Sequence, residues 1–314
     1  MRPMSTPPDA FHRRLGAIAS ATDAAFAALL AAAPLPGEAA RPARLLAAMR
    51  YAAAGGKRLR PFLVVETAAL FGVPETKAIP VGVAFECIHC YSLVHDDLPA
   101  MDDDDLRRGK PTAHIAFEEA TAILAGDALL TLAFDLLATA PIDSDPETRL
   151  ALIALLARAG GIGGMAGGQM LDLEAEGRFA ADGKPLSLSI EEIERLQTMK
   201  TGALLAAACA AGAILGRAPE EARRALRNYS RALGLAFQIA DDLLDAEGDA
   251  ASLGKSATKD AAHGKATLVS VLGSAGARMR LQALVGEATA ELASFGERGA
   301  MLAAAARFIA QRKH

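Results

Sequence analysis

The sequence predicts an all-α protein, a bundle of about ten or more helices, and three observations carry that prediction. Apolar residues recur with helical periodicity through most of the 314 residues. No alternation of period two persists for more than a few residues. Proline and glycine breakers divide the chain into segments that suit helices of roughly 12 to 25 residues.

The elements follow from those breakers in order. Pro34 and Pro36 end the first segment, and Gly55 with Gly56 end the second. These glycines feed Lys57, Arg58, Leu59, Arg60 and Pro61, a basic stretch at the start of the next helix, which runs toward Pro74. After Pro74 comes the run 81–94, almost wholly apolar, which delivers Asp96 and Asp97 at a helix C-terminal end. Pro99 and the stretch 109–111 break the chain again, and 141–146 and 177–185 close the next segments. Lys200 and Thr201 open an apolar helix that reaches Gly216, and 217–219 ends it. The next helix carries residues 237–245, and breakers at 248–254 and 273–276 punctuate the remainder. No period of 20 to 50 residues recurs, so a solenoid of repeats is not expected. Nothing marks a linker, so residues 1–314 are expected to form one domain.

Composition narrows the function classes. With 52% hydrophobic and 22% charged residues, the chain has the apolar surface for a large core. Its net charge of −4 offers no basic face for nucleic acid. The longest uncharged apolar stretch, 201–216, falls short of the roughly 18 residues of a membrane span. Residues 1–14 carry arginines but no apolar core of a signal peptide, so a cytoplasmic protein without stable membrane insertion is expected. Three cysteines, Cys87, Cys90 and Cys209, exclude a disulfide framework. The Cys87-x-x-Cys90 pair lies inside an apolar helical run with no second pair to complete a zinc site, and is read as structural.

Two acidic clusters break local rules. Carboxylates at a helix C-terminus oppose its dipole at roughly 0.3 to 1 kcal/mol each. Yet Asp96 and Asp97 sit at one, and Asp102, Asp103, Asp104 and Asp105 follow at once. In the second cluster, Asp241 and Asp245 share a helical face at i and i+4 with Asp242 beside them. Carboxylates without His or Cys suit hard divalent cations. Mg²⁺ prefers one or two of them plus phosphate oxygens, which points to a diphosphate ligand. An EF-hand is excluded because neither cluster has its alternating acids, central glycine and terminal glutamate. Cations lie nearby in sequence: the Gly55–Gly56 turn with its basic stretch, Arg107 with Arg108, and Lys200. Two diphosphates are expected, one held through metal and one by cations alone.

These residues resemble the trans-isoprenyl diphosphate synthases. Asp96-Asp97-Leu98-Pro99-Ala100-Met101-Asp102 with Arg107-Arg108-Gly109, and Asp241-Asp242-Leu243-Leu244-Asp245, look like that family's paired aspartate-rich motifs. The four-residue spacer in the first motif is similar to that of bacterial farnesyl and type II geranylgeranyl diphosphate synthases. Gly56-Lys57-Arg58-Leu59-Arg60-Pro61, Glu86-Cys87-Ile88-His89, Gly167-Gly168-Gln169 with Asp172, Lys200-Thr201-Gly202, Phe237-Gln238, Gly254-Lys255 and Gly264-Lys265-Ala266-Thr267 extend the likeness. One departure is Leu268 and Val269, where the family continues with Tyr and Pro, and it puts the local helix start in question.

The resemblance implies a helical bundle around a central cavity and a role for each position. Asp96, Asp97 and Asp102, with Asp241, Asp242 and Asp245, should chelate three Mg²⁺ ions, for which Mn²⁺ can substitute. Arg107, Lys200 and Lys255 should contact the allylic diphosphate bound by those ions. Lys57, Arg60, His89 and Arg108 should hold isopentenyl diphosphate without metal. Thr201 and Gln238 lie where the family stabilises the developing allylic cation. Lys265 is retained from its motif as a substrate contact. The glycines at 160, 161, 163, 164, 167 and 168 precede no Lys-Ser or Lys-Thr, so they are read as close helix approach or a kink, with Gln169 and Asp172 facing the cavity. A homodimer is implied as well.

The chemistry needs charge stabilisation on a departing pyrophosphate and no nucleophilic side chain. Isopentenyl diphosphate attacks through its double bond, and the released pyrophosphate takes the final proton. Tyr91 lies five residues before Asp96, about 7.5 Å down the helix axis, and Ser92 four before. A bulky aromatic there resembles a floor that stops the growing chain at fifteen carbons. The expected product is therefore farnesyl diphosphate, from isopentenyl with dimethylallyl and then geranyl diphosphate. The alternatives are a geranylgeranyl or geranyl diphosphate synthase, a non-catalytic regulatory subunit, and a terpene cyclase. The intact motifs disfavour the regulatory subunit, and the isopentenyl diphosphate cations disfavour the cyclase.

Overall fold

The computed structural model describes residues 8–35, 37–252 and 267–311. Lys255 and Lys265, two expected diphosphate contacts, lie outside the described residues. Thirteen α-helices occur among the described residues, and the chain divides into two compact units, His12–Ile153 and Ala154–His314 with Met1–Phe11.

The first unit contains most of α1 (Pro8–Leu29), then α2 (Ala43–Ala53), α3 (Leu59–Ala69), α4 (Glu75–Asp96), α5 (Ala113–Phe117) and α6 (Glu119–Thr139). Within it α4 packs against both α3 and α6. Missing side chains set those approaches. A Cβ on Gly82 would lie 2.9 Å from Pro61 Cα, and one on Gly126 would overlap the ring of His95. The core is aliphatic and phenylalanine-rich, with Phe62, Leu63, Phe85 and Ile88 fully buried.

One small departure from the all-α expectation lies here. Leu106–Arg107 and Lys110–Pro111 pair as an antiparallel hairpin, β1 and β2. Arg108 (φ 53°) and Gly109 (φ 74°) are both left-handed, the requirement of a two-residue type I′ turn. With strands of two residues, no period-two pattern could have shown in the sequence.

Helix α7 (Pro146–Gly160) crosses the division between the units. The second unit continues with α8 (Met165–Ala175), α9 (Ile190–Gln197), a π-helical segment Thr198–Gly202, α10 (Ala203–Leu215), α11 (Glu220–Ser252), α12 (Leu268–Glu291), a 3₁₀ segment Ala293–Gly299 and α13 (Ala300–Ala310). Helix α11 packs on α10, α12 and α13. The buried Tyr229 ties α11 to α13 by donating to Leu302 O at 2.8 Å.

Two helix starts carry reciprocal side-chain caps. Ser189 and Glu192 form a capping box on α9, and Thr267 with Ser270 does the same for α12. The departure at Leu268 therefore leaves the helix start intact. The breaker at 273–276 interrupts α12, where Gly273 (φ 69°, ψ 162°) leaves helical geometry at a kink between two helical stretches.

The sequence expectation about membrane spans counted only uninterrupted apolar residues. Among the described residues, four helical stretches are long and apolar enough, by length and composition alone, to cross a membrane: Glu75–Asp96, Glu119–Thr139, Pro146–Ala175 and Ile190–Leu215. Between 28% and 61% of the 18-residue apolar window in each is buried inside the protein.

Candidate functional site

In the first unit, the chain resolves the electrostatic fault at the end of α4 by folding back on it. The Asp102 amide donates to Asp96 O at 2.9 Å and the Asp104 amide to Asp97 O at 3.2 Å. Two carbonyls left open at the helix end are thus satisfied. Leu98 packs with Val94, Ala113 and Ala122, and Met101 closes on them, so the apolar members of the spacer anchor the loop. Asp102 returns beside Asp96, both half-buried, while Asp103, Asp104 and Asp105 are exposed.

Asp97 is buried, and Arg107 reaches its Oδ1 with Nε at 2.7 Å and Nη2 at 2.6 Å. Burial pushes this carboxyl above its ordinary pKa, and Arg107 opposes the rise. The hairpin turn is what presents Arg107 and Arg108 differently: Arg107 is half-buried against Asp97, whereas Arg108 is exposed and lies at Gly56. A Cβ on Gly56 (φ 96°) would fall 2.9 Å from Arg108 Nη1. The glycine turn beside Lys57 therefore meets Arg108.

His89 belongs to the same group. It lies on α4, and its pKa is held well below 6.5, first by burial and then by the positive charges of Arg60, Arg108, Arg107 and Arg58. His89 thus feels the charges of Arg60 and Arg108, two of the cations expected to bind a diphosphate without metal.

Arg58, counted in the sequence only as part of the basic stretch, is engaged by carboxylates of its own chain. It is 3% exposed and left-handed (φ 51°) at the N-cap of α3. Its guanidinium contacts Glu86 Oε1 at 3.0 Å and Asp23 Oδ1 at 2.7 Å, hydrogen-bonds Ala53 O, and stacks 5.3 Å over the Phe26 ring. Glu86 stands one turn before His89 on α4. One buried ion pair therefore fixes the helix start carrying Lys57 and Arg60 against the helix carrying His89.

Tyr91 is half-buried on α4, its hydroxyl pKa raised by burial, and its ring meets that of His95 edge-on at 5.8 Å. His95 Nε2 is 3.0 Å from Ile123 O, on α6 beside Gly126. Ser92 donates its hydroxyl to His89 O at 2.9 Å, so it is tied into its own helix. Cys87, Cys90 and Cys209 are buried thiols outside any disulfide among the described residues. Burial raises the Cys87 thiol well above its ordinary value and pushes Cys90 up to about 12, in keeping with the structural reading.

In the second unit the π-helical segment carries Lys200 and Thr201, and glycines let its neighbours close on it. A Cβ on Gly168 would overlap the Lys200 amide nitrogen, and one on Gly167 would overlap Ile162 O. A Cβ on Gly234 of α11 would lie 3.0 Å from Gly202 Cα. Within the glycine run, Gly168 thus serves close approach to another element, whereas a Cβ on Gly163 would meet nothing within 4 Å. Lys200 Nζ pairs with Asp172 Oδ2 at 2.5 Å. Gln169 is half-buried, and its Nε2 is buried without a hydrogen-bond partner.

Thr201 donates to Gln238 Oε1 at 3.0 Å, and Gln238 Nε2 donates to Asp242 Oδ1 at 2.9 Å. Gln197, a residue passed over in the sequence, donates to Asp242 Oδ2 at 2.9 Å. Asp242 is 8% exposed and its pKa is raised to about 6 by burial, against the hydrogen bonds from Gln238 and Gln197 and with the help of Asp245 and Asp241. Asp241 is half-buried and Asp245 exposed.

Among the described residues no three His, Cys, Asp or Glu side chains are gathered as a ready metal cage. The donors at hand are carboxylates alone. That set fits Mg²⁺, which takes one or two carboxylates and completes its shell with water and phosphate oxygens.

Comparison with known proteins bears on the same residues. A family model described as polyprenyl synthetase matches residues 42–297. The farnesyl diphosphate synthase of Escherichia coli (strain K12) is 48% identical over 273 residues, 84% of this chain and 88% of that protein. That of Bacillus subtilis (strain 168) is 45% identical over 262 residues, 83% and 86% of the two chains. A crystal structure of an FPP/GFPP synthase from Zymomonas mobilis superposes with a TM-score of 0.84 at 46% identity, covering 96% of this chain and 99% of that one.

Proposed function

The chain belongs to the polyprenyl synthetase family, and we propose that it makes farnesyl diphosphate, joining isopentenyl diphosphate to dimethylallyl and then geranyl diphosphate. It is a prenyltransferase of the short-chain class. The observation that carries the reading is the sorting of charge around α4. A carboxylate loop stands at its end with Arg107 on Asp97, and Arg108 lies at the Gly56 turn that leads to Lys57 and Arg60.

Asp96, Asp97 and Asp102, with Asp241, Asp242 and Asp245, would hold three Mg²⁺ ions, with Mn²⁺ able to substitute. When bound, the metal supplies Lewis-acid stabilisation of charge on the departing diphosphate. Arg107 and Lys200, joined by Lys255, place positive charge at the same oxygens. Thr201 and Gln238 present side-chain oxygens to the allylic carbon as its C–O bond breaks. Lys57, Arg60, His89 and Arg108 hold the diphosphate of isopentenyl diphosphate, whose double bond forms the new C–C bond. The released pyrophosphate accepts the proton lost in restoring the alkene. Lys265 and Gln169 complete the substrate contacts.

Tyr91 sets the floor of the growing chain and favours fifteen carbons over twenty. Ser92, with its hydroxyl held by the helix, shapes that floor by its small size. Residues 1–314 act as one functional domain, a reading supported by a family match that runs through both units. The enzyme works as a cytoplasmic homodimer; Ile115, Ile123 and Leu124, exposed on α5 and α6, offer apolar surface for the partner copy.

The test is elongation of radiolabelled isopentenyl diphosphate with dimethylallyl diphosphate, with and without a chelator. Elongation should cease in excess chelator and return with Mg²⁺. Elongation that persists in chelator would contradict the metal-assisted reading.

A further inference from the structure

The π-helical segment Thr198–Gly202 is an uncommon structure, of the kind found mostly at functional sites. It is pinned at several points. Gly168 closes on the Lys200 backbone from one side, and Gly202 meets Gly234 of α11 at its end. Thr201 bonds Gln238 in its middle. Its start is pinned by Gln197, which immediately precedes it and reaches Asp242.

We propose that Gln197 is a positioning residue: with Asp242 it fixes the side-chain amide of Gln238, and so the orientation of the Gln238 and Thr201 oxygens in the prenyl-transfer reaction. The inference rests on the function proposed above and extends it to a residue outside every motif. The order of donors and acceptors supplies the reason. An amide can present either end. Because Asp242 takes the Gln238 NH₂, the Gln238 carbonyl oxygen must face Thr201. Asp242 holds that place only if its second oxygen is satisfied, and Gln197 Nε2 satisfies it.

Gln197 is 4% exposed, and its own Oε1 is buried with no hydrogen-bond partner. A side chain retained only for packing would be better replaced by leucine, which removes that orphan. What leucine cannot supply is the N–H for Asp242. Both oxygens of Asp242 are therefore engaged by amides, which gives this carboxylate an orienting role beside the metal-binding one proposed above.

The experiment compares Gln197→Leu, Gln197→Glu and Gln197→His in the full chain. Histidine keeps an N–H donor, whereas glutamate keeps the shape and loses it. Q197L and Q197E should lower kcat more than tenfold, with KM for isopentenyl diphosphate and half-saturating Mg²⁺ within twofold of wild type. Q197H should recover most of the loss. In the ligand-free protein, exchange of the Gln238 side-chain amide protons, followed by nitrogen-15 NMR, should speed at least tenfold in Q197L, or in Q197E if Q197L does not fold. Wild-type kcat and exchange in the variants would overturn the proposal. So would a raised Mg²⁺ requirement at unchanged kcat, which would mean that Gln197 acts only through metal binding at Asp242. A wild-type protein that elongates nothing would instead remove the proposed function, and the exchange measurement would still decide the role of Gln197.

Discussion

Asp172 on α8 holds Lys200 in the π-helical segment, Oδ2 to Nζ at 2.5 Å, while Gly168 on the same helix lies flush against the Lys200 backbone. Helix α8 thus fixes both the position of this lysine and the direction of its ammonium. The cation expected to meet a departing diphosphate is held by a carboxylate that a diphosphate, with more charge, can displace.

That relationship makes Gly168 intolerant of any side chain. Gly168→Ala would drive a methyl into backbone atoms of Lys200, which cannot rotate away. The cost should be on the order of 1 to 3 kcal/mol, with kcat falling more than tenfold as Lys200 and Thr201 shift. Gly163→Ala is the control, since a Cβ there meets nothing within 4 Å. Thermal unfolding and steady-state kinetics of the two variants check the contrast.

The buried pair of Arg58 and Glu86 should matter more for stability than any surface ion pair. Glu86→Leu leaves a guanidinium that is 3% exposed without its buried partner. Breaking such a pair costs roughly 3 to 5 kcal/mol, and replacing both members with apolar residues recovers much of it. Urea denaturation should show Glu86→Leu strongly destabilised and Arg58→Met/Glu86→Leu less so.

His89 gives a pH dependence whose sign is fixed. Its folded-state pKa lies well below the ordinary 6.5, so folding favours the neutral ring. The stability it contributes is present above about 6.5 and is lost as pH falls from there through the folded-state value. Urea unfolding at pH 7.5 and 5.5 should show a smaller loss on acidification in His89→Gln than in wild type.

Much of this could be read from residue types and spacing. Asp96, Asp97 and Asp102 are legible because six aspartates at a helix end violate simple electrostatics, and Lys57, Arg60 and Arg108 because glycines precede or follow them. Arg58, Glu86 and Gln197 were not. Their roles come from partners 28 to 45 residues away in sequence, and only the fold brings those partners into contact. The hairpin at 106–111 was hidden for another reason: two residues per strand carry no period.

Tyr91 predicts product length. Its ring, braced edge-on by His95, stands one turn before the Asp96 carboxylate's own turn of helix. Tyr91→Ala should shift the product mixture toward twenty carbons or more, read by chromatography of the dephosphorylated alcohols. An unchanged fifteen-carbon distribution would place the floor elsewhere.

The most direct measurement is the identity of the wild-type product. Purified protein incubated with isopentenyl and dimethylallyl diphosphates and Mg²⁺, then treated with phosphatase, should yield farnesol as the predominant alcohol. A predominant twenty-carbon alcohol would contradict the fifteen-carbon reading, and no elongated alcohol at all would contradict prenyl transfer itself.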